Sequence, residues 1–79
     1  MVVGIIIPKE KLIADGFDFT VCSYKANAHF SDGSILKRVS VILNKNVFCY
    51  SISEDDKNVL VFKPKEQKKG FRLEKIYEN

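Results

Sequence analysis

The stretch VCSYKANAHFSDGSILKRVSVIL, Val21 to Leu43, decides how this chain folds. Two runs rich in β-branched and aromatic residues flank an Asp-Gly pair, the strongest short-range signal for a hairpin. A two-residue turn at Asp32-Gly33 pairs Phe30 with Ile35, Ala28 with Lys37, Ala26 with Val39, Tyr24 with Val41 and Cys22 with Leu43. Cross-strand partners share a face, so this register gathers a nearly continuous apolar surface. The opposite face carries His29 across from Leu36, Asn27 from Arg38, Lys25 from Ser40 and Ser23 from Ile42, and is largely polar.

Outward from that hairpin the same logic repeats. A turn at Lys45-Asn46 pairs Leu43 with Phe48, Val41 with Tyr50 and Val39 with Ile52. A loop from Glu54 to Asn58 then sets Ile52 against Leu60 and Tyr50 against Phe62. Three hairpins converge on one core, and such agreement between levels marks a foldable sequence. With FRLEKIY at 71–77 as a further strand, the chain reads as one mainly β domain spanning 1–79. The expected architecture is an antiparallel meander of about five or six strands, a half-barrel or two-layer sheet with one short N-terminal helix. That helix is KEKLIAD, between Pro8 as start signal and Gly16 as stop signal.

Two irregularities accompany the pattern. Phe17, Phe19 and Val21 occupy odd positions while Tyr24, Ala26, Ala28 and Phe30 occupy even ones. A bulge or bend near Cys22 and Ser23 would let one long strand turn a corner, so an SH3-like or OB-like small barrel stands beside the open sheet. On the reverse face Ile42, Cys49, Val59 and Val61 require a cover. The N-terminal segment is expected to supply it through Ile5, Ile7, Leu12 and Ile13, the alternative being an exposed patch that docks a partner.

Composition bounds the function. At 79 residues, 46% apolar and 29% charged, the chain is an ordinary globular domain with little room for a deep cleft. The apolar run before Pro8 is too short for a signal core or a membrane span, so a cytoplasmic protein with no membrane association is expected. His29 is the sole histidine, and the register turns it away from Cys22, which argues against a nucleophile–base pair. Cys22 and Cys49 fall on opposite faces and are expected as reduced thiols. Glu54, Asp55 and Asp56 lack the ligand spacing of a calcium loop. No enzyme activity, metal or cofactor is expected.

The remaining signal is charge. From Lys57 to Lys75, seven basic residues stand against Glu66 and Glu74, a local charge of +5 in a chain of formal charge +3. The expected function is that of a non-enzymatic binding protein acting by stoichiometric association with another protein, a small regulator or inhibitor of the kind encoded by phages and other mobile elements. The expected binding residues are Lys63, Lys65, Lys68, Lys69 and Arg72 on the basic edge and Lys25, His29 and Arg38 on the polar strand face. The alternative is a single-stranded nucleic-acid-binding module, RNA or DNA, using the same residues. Homodimerisation through FRLEKIY as an edge strand is a further possibility.

Overall fold

The computed structural model describes residues 3–67 and 70–78, with Tyr77 and Glu78 described in the backbone only. The chain is mainly β. Its elements are β1 (Ile5–Pro8), α1 (Lys9–Ala14), β2 (Tyr24–His29), β3 (Ile35–Ile42), β4 (Phe48–Ile52), β5 (Asn58–Phe62), a single 3-10 turn (Pro64–Gln67) and β6 (Arg72–Glu78). All six strands form one sheet in the order β1-β5-β4-β3-β2-β6, and every neighbouring pair is antiparallel. From β2 to β5 the sheet is the expected meander. The N-terminal apolar run adds a strand outside β5, and the last strand returns to the far side of β2.

The helix follows its signals. Pro8, with φ −57°, enters it, and Gly16 at φ 85° ends it while its N–H donates to the Ile13 carbonyl. The Phe17 N–H donates to the Leu12 carbonyl, so the Leu12 and Ile13 carbonyls are both satisfied as the chain turns back toward the sheet.

The first hairpin differs from expectation at its tip. The Phe30 N–H donates to the Ser34 carbonyl at 3.0 Å and the Gly33 N–H to the Phe30 carbonyl at 3.0 Å, so the loop is 31–33. Gly33 takes φ 90°, and the Asp32 carboxylate accepts from the Ser34 amide and hydroxyl. The third loop residue shifts the register near the tip, pairing His29 with Ile35 and Ala28 with Leu36. A bulge at Lys37 and Arg38 restores the expected Ala26–Val39 and Tyr24–Val41 pairs. Lys37 therefore leaves the apolar face to which a two-residue turn assigns it.

The second and third hairpins are offset by one residue from the expected register. Ile42 pairs with Phe48, Val41 with Cys49 and Ser40 with Tyr50, across a loop at 43–47 rather than a two-residue turn. Cys49 then pairs with Phe62, Tyr50 with Val61, Ser51 with Leu60 and Ile52 with Val59. A one-residue slip moves every side chain of a strand to the other face. Size and polarity select this register: the small Cys49 fits fully buried between Val41 and Phe62, while the Tyr50 hydroxyl reaches an acceptor, the Phe19 carbonyl, at 2.8 Å.

The sheet is curled. Through Cys49 and Val41, Phe62 is in line with Tyr24, so in a flat sheet Phe30, just past the end of β2, would lie three strand spacings (roughly 14 Å) across and six residues (roughly 20 Å) along from it. The Phe30 and Phe62 ring centroids are 5.9 Å apart, with Phe71 at 5.2 Å from Phe30 and 6.3 Å from Phe62. The concave side holds the main core, Ala26, Ala28, Phe30, Val39, Val41, Cys49 and Phe62, flanked by Tyr24, Leu36, Leu60, Phe71 and Leu73. Neither β1 nor β6 has a strand on its outer side among the described residues, so the half-barrel stays open.

On the convex side Ile42, Tyr50 and Val59 form a second cluster, covered by Leu12, Phe17 and Phe19. The cover differs from the one expected: Ile5 and Ile13 are exposed, Ile7 sits in β1 opposite Val59, and Tyr50 takes the place assigned to Cys49. Residues 17–23 form no strand and turn no barrel corner. The Asp18 carboxylate there accepts from the Thr20 amide at 2.9 Å and hydroxyl at 2.6 Å, and two phenylalanines anchor the segment on the sheet.

Candidate functional site

The part of the convex face that the helix and the 17–23 segment leave uncovered is basic. A cavity of about 250 Å³ opens there, lined by Phe19, Lys25, Lys37, Arg38, Ser40, Tyr50, Ser51 and Ile52. β2 supplies Lys25, whose ammonium donates to the hydroxyl of the buried Ser40 directly across the ladder. β3 supplies Lys37 and Arg38 as adjacent residues. Neighbours on a regular strand point to opposite faces. These two line one cavity because the bulge places both of them between the Ala28–Leu36 and Ala26–Val39 pairs.

The bulge has a backbone cost. Arg38 sits at φ 56°, a left-handed conformation that a non-glycine residue adopts at about 1–2 kcal/mol. The Asn27 side-chain carbonyl accepts from the Arg38 N–H at 3.2 Å and so holds the bulge in place. Among the described residues no carboxylate lies within ion-pairing distance of Lys25, Lys37 or Arg38. Three cations therefore converge on a cavity whose lining contains no acid.

Next to this cavity the charge becomes mixed, with Glu74 set beside Arg72. Asn27 and His29 pair with Glu74 and Arg72 of β6, and the Glu74 carboxylate accepts from the Asn27 amide at 3.2 Å and contacts the His29 ring at 3.3 Å. The Asn27 amide first, then His29, hold the Glu74 carboxyl below the usual carboxylate range. His29 is thus engaged by a neighbouring strand rather than aimed at a thiol. No disulfide joins Cys22 and Cys49; the Cys22 thiol donates to the Tyr24 carbonyl at 3.2 Å, and burial pushes the Cys49 thiol up to about 12.

The expected binding residues divide into two groups. Lys25 and Arg38 line the convex cavity, with His29 farther along β2 and Arg72 opposite it on β6. Lys63 and Lys65 instead line a separate cavity of about 400 Å³ with Lys45, Asn46, Val47 and Pro64. Lys68 and Lys69 lie outside the described residues. Lys37, Ser40 and Lys45 escaped the sequence reading. For Lys37 a signal existed: a lysine facing Ala28 inside an apolar ladder is an anomaly that a bulge resolves.

A third feature is the β1 edge. Ile5 is 60% exposed and Ile6 72%, and Ile13 of α1 is 58% exposed. Beside them Pro8, Lys9, Glu10, Ile13, Asp56, Lys57 and Asn58 line an open cavity of about 680 Å³, and across it Lys9 pairs with Asp56 at 2.7 Å.

Comparison with known proteins finds no match: no family model, no curated protein and no solved structure aligns significantly with the chain. Among the described residues no group of three or more metal-ligating side chains converges, and no helix is long and apolar enough to cross a membrane.

Proposed function

We propose that the protein is a non-enzymatic binding protein that associates stoichiometrically with another protein through the β1 edge, regulating or inhibiting that partner by occupying it. The observation that carries this reading is the exposure of Ile5 and Ile6 on consecutive positions of an edge strand. Consecutive strand residues face opposite sides, so both faces of this edge are apolar. Edge strands are ordinarily guarded by charge, because their free N–H and C=O groups template pairing with another chain. β6 at the other edge is guarded in that way, by Arg72, Glu74 and Lys75. β1 carries no charge, and an extended segment of a partner adding to it would gain backbone hydrogen bonds and cover the isoleucines.

The test is affinity capture from the native host, after nuclease treatment, with the wild-type chain and with Ile6→Lys. Ile6 is the more exposed of the two isoleucines, so the variant should fold normally. Saturable capture of one partner by the wild type and its loss with Ile6→Lys supports the reading. Equal capture by both proteins sinks it.

The competing reading, single-stranded nucleic acid, draws on the cations of the convex face and of the β5–β6 connection. Among the described side chains it lacks exposed stacking platforms. Every aromatic ring with a described side chain is buried or half-buried, and base stacking supplies about 1–3 kcal/mol per base to such binders. An electrophoretic shift on mixed RNA and single-stranded DNA at low salt checks it.

A further inference from the structure

We infer that the convex cavity is a binding site for a single phosphate-type oxyanion, free or carried on a small organic monoester. Four observations converge on it. Lys25, Lys37 and Arg38 line one cavity with no acidic residue among its walls. The bulge brings the last two together, and it persists although Arg38 adopts a left-handed backbone conformation. Such conformations are retained where the surroundings over-determine them, and they concentrate at ligand sites. Lys25 is tethered to the buried Ser40 hydroxyl, which leaves its other two N–H donors without a protein acceptor among the described residues. A tetrahedral dianion offers acceptors for those donors, for the Lys37 ammonium and for the planar fork of Arg38.

The size and surroundings of the cavity choose the ligand class. At about 250 Å³ it lies below the roughly 300–1,000 Å³ typical of sites for drug-sized ligands, so it suits one small group. A polyanionic strand would have to continue past it. On the β6 side it would meet Arg72 together with the Glu74 carboxylate, the latter held ionised by Asn27 and His29, and beside Phe19 it would meet Asp18, which is kept ionised by the Thr20 hydroxyl and amide. Phe19 and Ile52 add apolar wall, which favours an organic substituent on the phosphate. The site lies over β2, β3 and β4 and is separated from the β1 edge by β5, so it stands or falls independently of partner binding there.

The test is an amide-shift titration of the isotope-labelled protein with inorganic phosphate, phenyl phosphate and oligothymidylates of increasing length, at constant ionic strength. Saturable 1:1 shifts centred on Lys37, Arg38, Val39 and Ser51 are expected with the first two ligands. Tighter binding of phenyl phosphate identifies an organic monoester as the source, and equal binding identifies free phosphate. Arg38→Gly suits the left-handed backbone and should fold at least as well as wild type, yet bind about tenfold more weakly for loss of one charge-assisted contact. Lys37→Gln, at an exposed position, should weaken binding several-fold. The inference is overturned if neither phosphate gives saturable shifts at tens of millimolar, if Arg38→Gly binds as wild type does, or if affinity climbs with oligothymidylate length.

Discussion

The two faces of the sheet are built from the same strands and do different things. The concave face is closed by its own side chains: Ala26, Ala28, Val39, Val41 and Cys49 are fully buried, and Phe30, Phe62 and Phe71 seal one end. The convex face has only a partial cover. Leu12, Phe17 and Phe19 lie over Ile42, Tyr50 and Val59, and the cover stops where Lys25, Lys37 and Arg38 begin. A face filled by the chain itself has no room for a ligand, whereas a face covered over half its width offers a rim where polar groups stay accessible and the backbone beneath stays rigid. Stability therefore resides on the concave side, and the proposed recognition sites lie on the convex rim and the edges.

The largest expected effect tests that division directly. Phe62→Ala should cost about 3–5 kcal/mol, much of the stability of a chain this short, whereas Leu12→Ala on the half-buried convex cover should cost clearly less. Urea denaturation followed by circular dichroism measures both. Equal losses would mean that the two faces share the load and the contrast is wrong.

Cys49 sharpens the same contrast through pH. Its thiol is pushed up to about 12 by burial, against an ordinary value of 9.0. Below 9 both the folded and unfolded chains hold the proton. Between 9 and 12 only the folded one does, so stability falls as pH rises through that window. The slope due to this group approaches about 1.4 kcal/mol per pH unit, read as the difference between wild type and Cys49→Ala in unfolding curves at increasing pH. Cys22, which is only half-buried, should alkylate in the native state at pH 8 while Cys49 does so only in denaturant.

Two glycines with nearly the same backbone angle separate the sealed end from the exposed tip. Gly70 at φ 88° sits where an added Cβ would lie 2.5 Å from the Ser31 Cβ, while Gly33 at φ 90° has open space around it. Gly33→Ala should cost about 1 kcal/mol for the backbone alone, and Gly70→Ala about 2–3 kcal/mol because the clash adds to it. Similar melting temperatures for the two variants would show that the 31–33 loop and Gly70 do not meet.

The smallest effect concerns the convex cover. Tyr50→Phe removes the 2.8 Å hydrogen bond to the Phe19 carbonyl and should cost about 1 kcal/mol, with faster hydrogen exchange confined to residues 17–20. Exchange that also rises in β2 and β3 would show the cover and the concave core to be one cooperative unit.

Several strands are legible from local chemistry. β-branched and aromatic runs mark β2 to β6, the Pro8 and Gly16 signals mark α1, and Asp32-Gly33 marks the first reversal. β1 was not legible as a strand, because IIIP reads equally as a covering segment until β5 presents an edge to it. Of the proposed binding residues, Lys25 and Arg38 were legible through the polar face of β2 and β3, but not as parts of one cavity with Lys37. That grouping requires the bulge, and a bulge changes no residue type.

Alternation and turn residues in the chain itself determined that there would be an antiparallel sheet, with a helix before it and an apolar and a polar face on its first hairpin. Only the tertiary structure decided which face of β4 is buried, since loops of two or five residues at 43–47 differ by a single step in register while inverting the strand. That step was settled by a cysteine fitting between Val41 and Phe62, and by a tyrosine hydroxyl finding the Phe19 carbonyl. Packing volume and hydrogen-bond satisfaction between distant residues act only once the sheet has curled, and no local pattern encodes them.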